Sequence, residues 1–129
     1  MAVNLTEPEV LLPVPGVRIA SGRSGIKDTP RDDLALAVFA PGTVVSGVYT
    51  QSAFAAPPVQ LARDHQASTL AWIINSGNAN AATGAPGRQD ALDICHTVAV
   101  QLGLTKDQVQ PFSTGVIGER LDIAKMRSA

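Results

Sequence analysis

Thr69-Leu70-Ala71-Trp72-Ile73-Ile74 is a near-continuous apolar run of strand length, and Asn75-Ser76-Gly77-Asn78-Ala79-Asn80-Ala81-Ala82-Thr83-Gly84 follows it directly. A run without polar alternation suits a strand buried on both faces. The polar, glycine-bearing tract behind it reads as a loop between strand and helix, a position where α/β layers often build sites. Further on, Ala91, Ile94, Cys95, Val98 and Leu102 recur at the spacing of one helical face. They predict a helix over Arg88 to Leu102, with Gly103 as its C-terminal stop. Thr105-Lys106-Asp107-Gln108 matches a capping box, in which threonine hydroxyl and glutamine amide satisfy free N–H groups, so a short helical turn should follow Leu104. Val109 to Ile117 is a strand candidate running into Thr114-Gly115, and Leu121 to Met126 looks like the start of another helix.

Upstream, residues 1 to 15 read as an extended lead-in, because Pro8, Pro13 and Pro15 lack N–H groups and bias the preceding residue away from helix. Val17 to Ala20 is a short strand candidate between Gly16 and Gly22, and Ser21 to Asp33 is a charged, glycine-rich loop. Leu34 to Ala40 and Thr43 to Thr50 flank Pro41-Gly42, which predicts a β-hairpin with glycine supplying positive φ. Gly47 inside the second run leaves room for a bulge. Ala55-Ala56-Pro57-Pro58 ends that run, and Val59 to His65 fits either a short strand or a helical turn. Strands and helices are mixed rather than alternating, so the expected class is α+β, a layered mixed β-sheet with helices, in a single or partial domain over 1–129.

The chain has 129 residues, room for one sizeable core and not two. Hydrophobic residues make up 45%, which excludes wholesale disorder, while charged residues at 16% are few for a free-standing domain and suggest surfaces that meet another segment. Net charge is −1 with no basic stripe, so nucleic acid is not an expected partner. No run approaches the roughly 18 apolar residues of a membrane span, and no signal peptide is visible, so no membrane association and a cytoplasmic location are expected. Cys95 stands alone and reads as a small buried side chain on a helix.

Two clusters could carry chemistry. The asparagine tract at 75 to 80 supplies uncharged hydrogen-bond groups that either orient a substrate or bond their own backbone in Asx-turns. It has neither Rossmann glycine spacing nor a Gly-Lys-Ser/Thr ending. In Ser113-Thr114-Gly115-Val116-Ile117-Gly118-Glu119, a glycine N–H beside a threonine hydroxyl can form an oxyanion hole from two neutral donors, or else close a strand as a plain turn. No Gly-x-Ser-x-Gly elbow surrounds Ser113. His65 and His96 are isolated, so no metal site is expected and both histidines read as surface or structural. Asp28, Asp32 and Asp33, beside Lys27 and Arg31, read as a solvated, internally compensated loop rather than a catalytic pair.

Taken in order, Ser24-Gly25-Ile26-Lys27, Asp33-Leu34-Ala35-Leu36, Gly47-Val48-Tyr49-Thr50, Ala55-Ala56-Pro57, Asn75-Ser76-Gly77-Asn78-Ala79-Asn80 with Thr83-Gly84, and Ser113 to Glu119 resemble the ornithine acetyltransferase family. The resemblance runs from about Gly16 to Met126. It implies the fold of self-processing, aminopeptidase-like enzymes and an origin in the front part of the family's α chain. It also implies a precursor that cuts itself to free a threonine at the start of a β chain. That threonine takes acetyl from N-acetylornithine and passes it to glutamate in arginine biosynthesis, by the double displacement that an activated hydroxyl with a nearby amine base permits. By the same resemblance Thr114 and Gly115 are the catalytic oxyanion-hole donors, through hydroxyl and N–H. The asparagine tract is structural or site-supporting.

Further implications are a partner β chain from the same precursor in an α2β2 heterotetramer, N-acetylornithine and glutamate as small-molecule substrates, and no resident cofactor. Bifunctional members also accept acetyl-CoA as co-substrate. The family's cleavage segment, a Lys-Gly-rich approach to an Ala-Thr junction and a Met-Leu pair, does not occur in these 129 residues, so the chain by itself is expected to transfer no acetyl. Ala82 stands where cysteine is common in relatives, and Arg120 and Asp122 replace prolines. Two other classes stay open on the residues alone: a non-catalytic module of the same fold, and a related self-processing hydrolase. Peptide cleavage set against acetyl transfer in the full-length protein separates them.

Overall fold

The computed structural model describes Val10 and residues 12–129; the extended lead-in expected over residues 1 to 15 lies largely outside the described residues. Four strands form one sheet in the order β1-β2-β3-β4: β1 Val17–Gly22, β2 Leu34–Phe39, β3 Ala71–Asn78 and β4 Val109–Val116. The first two pairings are antiparallel, and β3 with β4 is parallel. Parallel neighbours need a crossover, which helix α2, Gly84–Leu102, supplies. Helix α1, Pro57–His65, precedes β3, and α3, Ile123–Ser128, follows β4. The α+β expectation of a mixed sheet with helices is met.

Local chemistry explains the helix ends. Pro57 and Pro58 occupy the first turn of α1, where a missing N–H costs nothing, and Ala56 before them is extended at ψ 148°. The helix settles the choice left open for Val59 to His65 against a strand. α2 begins one turn earlier than the periodicity suggests and stops at Gly103, whose φ of 67° is left-handed and whose N–H donates to the carbonyls of Ala99 and Val100. The capping box of Thr105 and Gln108 is present and closes a short 3₁₀ turn, Lys106–Gln108, just before β4.

The core lies between α2 and one face of the sheet. Ala71 and Ile73 of β3 meet Ile94, Cys95, Val98 and Ala99 of α2, with Val109, Leu121 and Met126 closing the ends. Period-two alternation puts Trp72 and Ile74 on the other face, where both are only half-buried, so β3 is fully covered on one side rather than two. There Trp72 makes edge contacts with Phe39 and Phe112, at centroid distances of 4.8 and 5.6 Å. Buried Gln110 accepts from the Trp72 indole N–H at 2.7 Å and donates to the Tyr49 hydroxyl at 3.2 Å and the Ala62 carbonyl.

The expected hairpin across Pro41-Gly42 does not form. The turn is real, with Thr43 N–H donating to Ala40 and Gly42 at φ 88°, but residues 43–50 pair with no strand. Both edges of β2 are already taken, by β1 and β3, so the second run has no ladder to join. It crosses the sheet as a strap, held by the Tyr49 hydroxyl donating to the Ala62 carbonyl at 3.1 Å and by Arg63 donating to the Thr50 carbonyl at 2.6 Å. The expected bulge at Gly47 falls away with the strand.

Candidate acyl-transfer site

Thr114 and Gly115 sit in the exposed C-terminal part of β4, opposite Ser76 and Gly77 of β3 in parallel register. The stretch Asn75–Asn78, read from sequence as loop, is therefore strand. The reason is cross-strand: Asn75 donates from Nδ2 to the Ser113 hydroxyl at 2.7 Å, while its Oδ1 accepts from the N–H groups of Gly77 and Asn78. One side chain thus does an Asx-turn's bonding and also ties β3 to the residue before Thr114.

Two glycines set how closely the strand tips approach. A Cβ on Gly115, whose φ is 133°, would strike the carbonyl group of Gly77 as well as Asn78 N at 2.7 Å. A Cβ on Gly77 would strike Ile26 Cγ2 and lie 3.3 Å from Lys27 Cγ. Glycine at both positions lets β4 close on β3 from one side while the 24–27 loop lies across β3 from the other.

The remaining asparagines are scaffolding. Asn78 is buried, donates to the Glu119 and Arg120 carbonyls at 3.1 Å each, and accepts from Asn80 N–H at 2.7 Å. Fully buried Asn80 donates to the Gly87 carbonyl at 2.8 Å and accepts from the Thr83 hydroxyl at 2.7 Å. A Cβ on Gly87 would occupy the space of Thr83 Oγ1 and Asn80 Oδ1, so the first turn of α2 is locked to this ladder. Arg120 donates from Nε to Asp90 at 2.8 Å, and Asp122 caps α3 by accepting from Lys125 N–H at 3.1 Å.

Asp33 corrects the reading of a solvated acidic loop. It is 2% exposed. Burial on its own pushes the carboxyl pKa up, but the backbone N–H of Ser24 at 2.6 Å, that of Lys27 at 3.1 Å and the Ser24 hydroxyl at 2.9 Å outweigh it, with Ile26 N–H adding to them. The net result is a pKa lowered to about 2. This carboxylate folds the 24–27 loop over the strand tips, and Lys27 Nζ ends 3.4 Å from the Ser76 hydroxyl. The sequence alone gives Lys27 no role at the site and Ser76 only a place in a tract read as structural or site-supporting. The signal was Ser24-Gly25-Ile26-Lys27 standing as a motif with no chemistry assigned to it.

Other candidates for reactivity are spent elsewhere. Burial, followed by the negative charge of Asp107, pushes the Cys95 thiol up to about 12, which leaves it packed and protonated. His65 is buried, with Nδ1 2.7 Å from the Val109 carbonyl and Nε2 3.5 Å from Asp107, so it ties α1 to β4. Among the described residues no cluster of metal-ligating side chains forms, and no helix is long and apolar enough to cross a membrane. A cleft of about 490 Å³ between β2, α2 and the end of α3 is lined mainly by apolar groups such as Leu36, Ile94, Val98 and Met126 and lies away from Thr114. A smaller one of about 360 Å³, between the strap, α1 and β4, is lined by Tyr49, Ala62, Phe112 and Ser113 and stops one residue short of Thr114.

Residues 18–129 match the sequence profile of the ArgJ family. Over 120 residues the chain is 46% identical to the arginine biosynthesis bifunctional protein ArgJ of Methylococcus capsulatus, covering 92% of this chain and 29% of that protein. Over 134 aligned positions it is 44% identical to the ArgJ of Neisseria gonorrhoeae, covering 100% and 33%. The chain therefore spans about a third of the length of these curated relatives. Among solved structures, the ArgJ crystal structure from Bacillus halodurans superposes with a TM-score of 0.82 at 30% identity, over 88% of this chain and 61% of that one. The ornithine acetyltransferase of Mycobacterium tuberculosis, complexed with ornithine, superposes with a TM-score of 0.83 at 32% identity, over 88% and 63%.

Proposed function

Because this chain belongs to the ArgJ family, we propose that it is the front part of an acetyltransferase of arginine biosynthesis, and that Thr114 and Gly115 are its oxyanion-hole donors. The acetyl group moves from N-acetylornithine to glutamate. A threonine hydroxyl from polypeptide outside residues 1–129 attacks the acetyl carbonyl and gives its proton to a neighbouring amine. The tetrahedral oxyanion collapses, the C–N bond breaks, and ornithine leaves with that proton. The glutamate amine then attacks the resulting ester, the C–O bond to threonine breaks, and the proton lost by the amine returns to the threonine oxygen, giving N-acetylglutamate.

Negative charge grows on the carbonyl oxygen in both half-reactions, so neutral donors aimed at it lower both barriers without binding the ground state more tightly. The observation that carries this reading is the exposed Thr114-Gly115 tip, held by the Gly77 contact and by Asn75 on Ser113. Residues 1–129 supply donors and no attacking threonine in this scheme, so alone they turn nothing over. A self-cleaved β chain, an α2β2 assembly, cytoplasmic location and acetyl-CoA as a second donor belong to the same proposal.

The test is Thr114→Val in the full-length protein, with acetyl transfer followed from N-acetylornithine to glutamate. Loss of one oxyanion donor should lower kcat roughly 100- to 1000-fold and leave KM little changed. An unchanged kcat removes Thr114 from the role. No acetyl transfer by the unsubstituted full-length protein removes the whole reading.

A further inference from the structure

Given that acetyl-transfer reading, we infer that Lys27 is a substrate-positioning residue that binds the α-carboxylate shared by N-acetylornithine and glutamate. Its surroundings contradict the expectation that it merely compensates nearby acids. Asp33 meets the backbone N–H of Lys27 and not its ammonium, and Asp32 accepts from the Ser21 hydroxyl. Among the described residues the Lys27 ammonium forms no ion pair. Among those residues its ammonium has its polar side-chain contact with Ser76, the β3 residue in register with Thr114.

The placement is built rather than accidental. The buried Asp33 carboxylate gathers Ser24 and Lys27, Ile26 packs toward the core, and bare Gly77 lets the Lys27 stem pass across the strand. The cation thus contacts Ser76, which stands one strand, about 5 Å of backbone spacing, from the proposed oxyanion donors. In N-acetylornithine the α-carboxylate is only a few bonds from the acetyl carbonyl. A substrate with its carbonyl oxygen at Thr114 and Gly115 carries its carboxylate to the Ser76 side, where an ammonium and a hydroxyl can hold it. Glutamate presents the same group next to the amine that must attack the ester, so one cation serves both half-reactions. The carboxylate keeps its charge throughout, which makes this contact equally strong in ground and transition states and places its effect in KM.

The experiment uses the full-length enzyme with Lys27→Met and Lys27→Arg. Both substitutions leave the backbone N–H that bonds Asp33, so melting temperatures should stay close to that of the unsubstituted enzyme. Lys27→Met should raise KM for both N-acetylornithine and glutamate roughly 10- to 100-fold with kcat within a few-fold, and Lys27→Arg should recover most of it. The decisive arm uses the α-carboxamide of N-acetylornithine as acetyl donor, because removal of Lys27 should cost nothing further once the carboxylate is gone. Unchanged KM values in Lys27→Met, or an equal loss with acid and carboxamide, overturn the assignment while acetyl transfer itself stands. Absence of acetyl transfer by the unsubstituted enzyme takes down the functional reading and this assignment together.

Discussion

The two ends of the β3–β4 pair differ more than any two elements of the fold. At the N-terminal end Ala71 faces Val109; both are wholly buried, and α2 lies across them. At the C-terminal end Ser76 and Gly77 face Thr114 and Gly115, which are exposed and polar or bare. The same parallel ladder runs through both, so the contrast lies in the side chains. Apolar burial at one end gives the ladder a rigid anchor, and at the other the anchored backbone can hold groups in positions that local stability would not select. That division matches the rule that sites in such sheets gather at the carboxyl ends of strands.

The largest effect expected from this contrast is at the anchored end. Ile94 is 3% exposed in the core beneath β3, and Ile94→Ala should cost about 3 kcal/mol through lost burial and a residual cavity, lowering the melting temperature by roughly 10 °C. The kcat of the folded fraction should hold; a fall in kcat at unchanged stability would mean that the two ends are not separable. Gly115→Ala probes the other end. The added Cβ meets the Gly77 backbone, which cannot swing aside as a flexible side chain could, and the residue keeps a φ that L-amino acids avoid. A stability loss of about 2 kcal/mol should accompany an acetyl-transfer loss of at least roughly 100-fold. Retained activity in Gly115→Ala would show that the tip's geometry is not what the chemistry uses.

The anchored end was also the legible one. α2, its Gly103 stop, the capping box and β4 follow from spacing within a single element, where periodicity reports burial directly. Pairing is a different kind of information. Residues 43–50 carry strand-like composition, yet nothing in them reveals that β1 and β3 occupy both edges of β2. Asn75–Asn78 looks like loop because its amides can bond their own backbone; the β4 ladder from Ser113 to Val116, with the Ser113 hydroxyl on Asn75 38 positions away, makes strand the better outcome. Thr114 and Gly115 were proposed from a motif, while Lys27 was passed over because its neighbours in sequence are acids and its neighbour in space is Ser76.

Asp33 belongs to the tip end, since it immediately precedes β2, whose Leu34 pairs with Asn75, and folds the loop that reaches the tip. Asp33→Asn offers a donor where the carboxylate accepts from Lys27 N–H, so at neutral pH the variant should lose about 2 kcal/mol. The pH dependence identifies the cause. The native pKa of about 2 lies below the ordinary 3.8, so ionised Asp33 stabilises the fold fully above pH 4. That contribution fades as pH falls from 4 toward 2, where the native carboxyl also takes up its proton. Thermal melts from pH 7 to pH 2 should therefore show the gap between the protein and Asp33→Asn narrowing only below pH 4. A gap constant across that range would mean that Asp33 acts by shape rather than charge, and that the loop carrying Lys27 is held by Ile26 packing instead.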